Sequence, residues 1–230
     1  MPAAVLRPTG YPRHPAWRQQ SKQRKTVRPE DLGQLIRFFK KKPDRISAWI
    51  VGYLIVASRV GWRPGEILAL RLIGRILSAP AEKVGNLRGL CDTVEITIGE
   101  RYPEKYLAQL QRWIAETQQL ADIYGCREAL KDAMAERIRR ACLLLGIPGL
   151  APYALRHFAI ACLKRSGWSR EEIAAIVNHG SNRTAGERYG KARNGIKRPK
   201  PIFSVDPARV AAVRRNAKEF TPRDNHAPPI

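Results

Sequence analysis

The sequence predicts a mainly α-helical protein carrying one small antiparallel β-sheet, an α+β fold. Three observations lead there. Most of the chain between residues 29 and 179 shows apolar residues at helical spacing, punctuated by capping and stop signals. One window, residues 71–99, instead has the composition of strands. The two ends are basic, rich in proline and free of periodicity.

Residues 1–28 hold Pro2, Pro8, Pro12 and Pro15 among seven arginines and lysines, Arg24 and Lys25 included, and read as a basic, largely disordered arm. In "TVRPEDLGQLIRFFKK" a helix starts at Thr26 or at the Pro29-Glu30-Asp31 turn, with Leu32, Leu35, Ile36 and Phe39 as its stripe. "DRISAWIVGYLIVASRV" is apolar nearly all round, which predicts a buried helix ended by Gly61. "PGEILALRL" opens with proline in a plausible first turn and gives a short helix. "RLIGRILSAP" and "DTVEITIG", separated by "AEKVGNLRGLC", supply the sheet.

"EKYLAQLQRWIAETQQL" and "REALKDAMAERIRRACLLLG" are amphipathic helices, and "PYALRHFAIACLKRSG" is a third that stops at Gly167. "SREEIAAIVNH" begins with a capping box, Ser169 with Glu172. The segment holding Tyr189 is read as the next helix. The chain therefore divides into the arm (1–28), a body (29–194), and a region of basic linker, candidate last helix "DPARVAAVRRNAKEF" and disordered tail (195–230).

A net charge of +22 over 230 residues makes a polyanion the expected partner, and nucleic acid the leading one. A membrane partner is not expected: the basic residues do not share one face opposite exposed apolar ones, no apolar run reaches a membrane span, and the N-terminus lacks a signal-peptide core. Cys91, Cys126, Cys142 and Cys162 are scattered without metal-ligand spacing and read as reduced thiols of a cytoplasmic protein.

Three pieces occur in order: "GWRPGEILALRL" with Arg63 and Glu66, "PYALRHFAIACL" with Arg156 and His157, and "IAAIVNHGSNRTAGERYGK" with His179 and Tyr189. Each alone has a plain reading. Arg63 and Glu66 make a surface pair, His179 suits a helix C-terminus, and Tyr189 suits half-buried packing. Together, in this order and spacing, they resemble the catalytic domain of the tyrosine recombinases, the phage-integrase family, over about residues 27–193.

The resemblance implies a DNA recombinase or integrase of mobile elements, bound to the nucleoid. Arg63 and Arg156 would clamp a phosphodiester, since a guanidinium is planar, permanently charged and bidentate. His179 would add a donor. Tyr189 would attack phosphorus and hold one strand end as a 3′-phosphotyrosine. A free phenol titrates near about 10, so basic surroundings help it shed its proton. A lysine of the β-hairpin would protonate the leaving 5′-hydroxyl; Lys83 matches, with Lys105 as fallback. Glu66 would orient Arg63 or neighbouring backbone rather than react. No cofactor is expected: the cations cover the charge that a metal would handle, and the phosphotyrosine conserves the bond energy without ATP.

Three departures stand out. Tyr153 occupies a position that usually holds His or Lys, and either acts as a positioning donor or compromises activity. Asn178 stands where glycine usually precedes the histidine. Only the arm precedes the body, where family members carry a further DNA-clamping domain. DNA contacts are thus expected from Arg24 and Lys25 and from Arg183, Arg188, Lys191, Arg193, Lys197 and Arg198, in a homo-tetramer on double-stranded DNA, with an accessory protein supplying the clamp. The alternatives are a catalytically impaired integrase-like DNA-binding protein, regulator or remnant, and an unrelated basic protein with a helix-turn-helix over Ser169–Tyr189.

Overall fold

An N-cap aspartate and a left-handed glycine delimit the central helix. Asp44 Oδ1 accepts a hydrogen bond from Ser47 N at 3.0 Å, and Gly61 takes φ 71°, so the helix runs Arg45–Val60. It follows a shorter helix, α1 (Pro29–Lys40), and is labelled α2. α1 begins at its proline, has Glu30 and Asp31 in its first turn, and buries Leu32, Leu35 and Phe39. α2 buries Trp49, Ile50, Tyr53 and Leu54, as a helix apolar on most faces must. The computed structural model describes residues 27–82, 89–147, 150–187, 189–198 and 203–215. The arm through residue 26, with Arg24 and Lys25, then Lys83, Arg188 and the tail from residue 216, lie outside them.

After α3 (Pro64–Leu68) comes the sheet, with strands β1 (Arg71–Ile73), β2 (Ile76–Pro80), β3 (Thr93–Ile98) and β4 (Phe203–Ser204) in the order β1-β2-β3-β4, all antiparallel. The sequence leads one to expect two strands. The run 71–80 is itself a hairpin, because Gly74, at φ 56°, supplies the turn between the paired Ile73 and Ile76. The fourth strand comes from the stretch read as linker, where Phe203 is buried. One sheet face enters the core: Leu77 opposes Ile96 and Ala79 opposes Val94, all buried.

The helical remainder is α4 (Glu104–Ile123), α5 (Arg127–Leu144), α6 (Ala154–Arg165), α7 (Arg170–Ile176), α8 (Asn182–Glu187), a 3₁₀ turn at Ala192–Asn194, and α9 (Pro207–Ala211). α6 packs on α2 and buries nearly its whole surface, including Leu155, Phe158 and Ile160. Each such side chain contributes on the order of 1.5–3 kcal/mol. Trp62 Nε1 donates to Ile176 O at 2.6 Å, joining the chain after α2 to the end of α7. The fold is mainly α with a small antiparallel sheet, as the composition and periodicity predict. Among the described residues no helix is long and apolar enough to cross a membrane.

Candidate active site

Arg156 lies on α6 at 1% exposure. A guanidinium that far from water needs its donors occupied. Nη1 donates to Gly61 O at 2.9 Å; Nη2 donates to Val177 O at 2.8 Å and meets His179 Nε2 at 2.8 Å. Gly61 thus ends α2 and presents its carbonyl to α6, and a Cβ there would meet Ala159 Cβ at 3.1 Å.

Arginine only donates, so His179 Nε2 accepts and the ring is neutral with its proton on Nδ1. Burial, then the charges of Arg156 and Arg63, push His179 down to about 2. The expected phosphate donor of this ring is therefore Nδ1–H, which is buried and has no partner among the described residues.

Arg63 caps α3. Its backbone N donates to Glu66 Oε2 at 2.7 Å and its Nη1 to Glu66 Oε1 at 2.6 Å. Glu66 is fully buried, and its Oε2 is 3.9 Å from Arg156 Nη1. The pair, which taken alone reads as a surface one, is interior. Two guanidiniums face one carboxylate beside a neutral imidazole, which leaves one positive charge over. An anion is the natural complement of such a site.

Tyr189 follows α8 rather than lying within it. This corrects the helical expectation: the helix ends at Glu187, and the chain then runs over α6. Lys164 Nζ donates to the carbonyls of Tyr189 (3.3 Å) and Gly190 (3.2 Å). A Cβ on Gly190 would stand 2.8 Å from His157 O, so this close seat requires glycine. The ring lies between those of His157 (4.7 Å) and His179 (4.9 Å), with Arg156 Cζ 5.4 Å from its centroid.

Tyr189 Oη is 3.0 Å from Tyr153 Oη and 3.4 Å from Arg156 Nε. Burial raises its pKa. The Arg156 charge, the hydrogen bonds from Tyr153 and Arg156, and the Arg63 charge together outweigh burial and bring it below the usual phenol value. Tyr153 moves the other way, to about 12, chiefly through burial and then through its hydrogen bond with Tyr189.

Arg63, Arg156, His179, Tyr189 and Tyr153 thus come together. Lys105 sits in the first turn of α4, its Nζ 5.3 Å from the Tyr106 ring. Arg183, Lys191, Arg193 and Lys197 are exposed around the segment that carries Tyr189. Arg198 does not join them: it is half-buried, donates from Nη1 to Ser58 O at 3.0 Å, and lies over the Phe158 ring. Its guanidinium thereby ties α2 to α6.

Sequence reasoning missed Lys164, which looks like any helix-terminal lysine, and the use made of Asn178. The signal for Asn178 was present. A position that favours glycine is one that needs positive φ, and asparagine is the side chain that tolerates it best.

No family model matches the chain, and no curated protein matches it. Among solved structures it is similar to a XerA recombinase, with TM-score 0.47 and 16% identity, over 77% of this chain and 60% of that one. It is also similar to XerH site-specific recombinase bound to difH substrate in a pre-cleavage complex, with TM-score 0.48 and 14% identity, over 72% of this chain and 50% of that one. The XerH post-cleavage complex on palindromic difH gives TM-score 0.47 and 12% identity, over 75% and 50%. The chain spans between 50% and 60% of the length of these three.

Proposed function

We propose that the protein is a DNA strand transferase of the tyrosine-recombinase kind, which cleaves and rejoins DNA through a 3′-phosphotyrosine. One observation carries this reading: Tyr189 Oη lies 3.4 Å from Arg156 Nε and 3.0 Å from Tyr153 Oη, beside Arg63 and His179. A DNA phosphate enters against the two arginines, whose surplus positive charge matches a phosphodiester anion. Tyr189 gives its phenolic proton to solvent, and its Oη then forms a bond to phosphorus as the bond to O5′ breaks. Tyr153 donates to the phenolate oxygen. The 5′ oxygen takes its proton from a cation, for which the family resemblance offers Lys83, with Lys105 as fallback. Reversal of the same steps religates a strand.

Arg183, Lys191, Arg193 and Lys197 would track the backbone, giving binding that is salt-sensitive and weakly sequence-specific. The protein would act as a tetramer on two duplexes.

A second reading, an impaired DNA-binding protein, is favoured by one feature. Both Nη atoms of Arg156 are committed to Gly61, Val177 and His179, which leaves Nε as the donor nearest Tyr189. A nicked suicide duplex separates the two, because it loses its 5′ fragment on cleavage and traps the intermediate. A denaturation-resistant protein–DNA adduct is expected. Binding of the duplex without adduct, across pH and salt, would favour the second reading.

A further inference from the structure

The chain that carries Tyr189 is held by its main chain, and α6 does the holding. His157, Ala161 and Lys164 stand at i, i+4 and i+7 on that helix and so share one face. The segment after α8 runs along this face. A Cβ on Gly190 would stand 2.8 Å from His157 O, and one on Gly195 would stand 2.4 Å from Ala161 O, so the two backbones nearly touch.

Side chains from the end of α6 then take hold of the segment. Lys164 Nζ donates to Tyr189 O at 3.3 Å and to Gly190 O at 3.2 Å. Arg165 Nη1 donates to Gly195 O at 2.8 Å. Cys162 Sγ accepts from Ile196 N at 3.2 Å, and Ser166 Oγ accepts from Arg198 N at 2.8 Å. The last three act well past the tyrosine. Lys164 acts on the carbonyl of the tyrosine itself and on the next one.

A lysine with nothing to hold extends its ammonium into water. Lys164 is instead half-buried, and burial, then the charge of Arg170, push its pKa below the ordinary lysine value. The ammonium is kept there at a cost that its hydrogen bonds offset. The same helix carries Arg156 and, at its N-cap, Tyr153, the two residues that Tyr189 Oη meets. α6 thus supports both the surroundings of the phenol and the backbone from which the phenol hangs.

We infer that Lys164 is a positioning residue for the nucleophile. Its bonds to the two carbonyls hold the main chain at Tyr189 and Gly190 on α6, and so keep Tyr189 Oη within reach of Arg156 and Tyr153. This rests on the strand-transferase reading and concerns only how Oη approaches phosphorus and sheds its proton to solvent.

The test follows adduct formation on the suicide duplex across pH, and duplex affinity across salt, for the full-length protein, Lys164→Met and Lys164→Arg. Methionine matches lysine in helix propensity, so α6 persists while the donors are lost. Displacement of the phenol slows adduct formation in Lys164→Met by about 10- to 100-fold at neutral pH. The midpoint of its rise with pH moves up toward 10.0, the ordinary phenol value, as Oη leaves Arg156 and Tyr153. Duplex affinity and its salt dependence stay unchanged. Lys164→Arg keeps a cation with donors and recovers most of the lost rate. An unchanged rate in Lys164→Met, a slow rate with an unmoved midpoint, or an Lys164→Arg as slow as Lys164→Met would overturn the inference. So would a weaker affinity with a salt slope reduced by about one, the mark of a lysine bound to a DNA phosphate. An unsubstituted protein that forms no adduct would overturn the strand-transferase reading itself.

Discussion

Tyr153 and Tyr189 hold their phenolic oxygens 3.0 Å apart, and the pair titrates asymmetrically: Tyr153 is raised to about 12 and Tyr189 is lowered. The shared proton belongs on Tyr153, which then donates to the Tyr189 phenolate. Tyr153 is thus a donor to the nucleophile, which suits a phenol better than the base role of an imidazole.

The pH dependence of adduct formation follows. The rate rises with pH with a midpoint below 10.0, the ordinary phenol value, because ionisation of Tyr189 is favoured by Arg156, Tyr153 and Arg63 against the cost of burial. In Tyr153→Phe the midpoint moves up, and cleavage at neutral pH slows by about ten-fold or more, the worth of one hydrogen bond to a charged oxygen. A pH–rate profile checks both; an unchanged midpoint in Tyr153→Phe would contradict this role.

His179 makes the fold acid-sensitive. Its folded value, about 2, lies below its ordinary value of 6.5, so between these the unfolded chain binds a proton that the folded chain refuses. Stability therefore falls as pH drops from about 6.5 toward about 2, by at most about 1.4 kcal/mol per pH unit for this group. His179→Gln keeps an acceptor for Arg156 and removes the titration, so its stability declines less steeply over the same range. Urea unfolding at a series of pH values measures the difference.

Arg156 is as much a structural tie as a candidate phosphate ligand. Its removal leaves the Gly61 and Val177 carbonyls and His179 Nε2 without their donor. Arg156→Ala should lose about 3–5 kcal/mol of stability, the usual cost of breaking a buried charged network. Denaturant unfolding, read beside cleavage, shows how much of the lost activity is lost fold.

Gly190→Ala tests the seat of the nucleophile. The new Cβ would meet His157 O at 2.8 Å and Ala161 Cβ at 3.2 Å, and the carbonyl belongs to the α6 backbone. The segment must lift and carry Tyr189 with it. Overpacking of this kind costs about 1–3 kcal/mol, and a displacement of about 1 Å at a reacting atom costs on the order of 10²-fold in rate. Adduct kinetics and thermal unfolding of one preparation give both numbers; a wild-type rate would mean that Tyr189 is not held through this contact.

Much of the framework was legible because it is local. The glycines at 61 and 167 and the Ser169–Glu172 box are signals that act within one turn of the chain, and each stands at an observed helix end. What escaped depends on distant partners. The 71–80 run conceals a hairpin because a single glycine turns it, and β4 depends on pairing with β3 and on burial of Phe203, both far away in sequence. The site residues were recognisable as an ordered set, but their commitments were not. That Glu66 is buried, that Arg198 faces inward, and that Asn178 reaches Leu90 and Cys91 depend on packing between elements far apart in sequence.

The central claim is that the Tyr189 hydroxyl is the atom that bonds to DNA. The most direct measurement is to trap the adduct on a suicide duplex, digest it with protease and nuclease, and locate the nucleotide-bearing residue by mass spectrometry. The expected result is a 3′-phosphonucleotide on Tyr189, with no adduct from Tyr189→Phe although that variant still binds the duplex. An adduct mapped to another residue, or one that persists in Tyr189→Phe, would contradict the account.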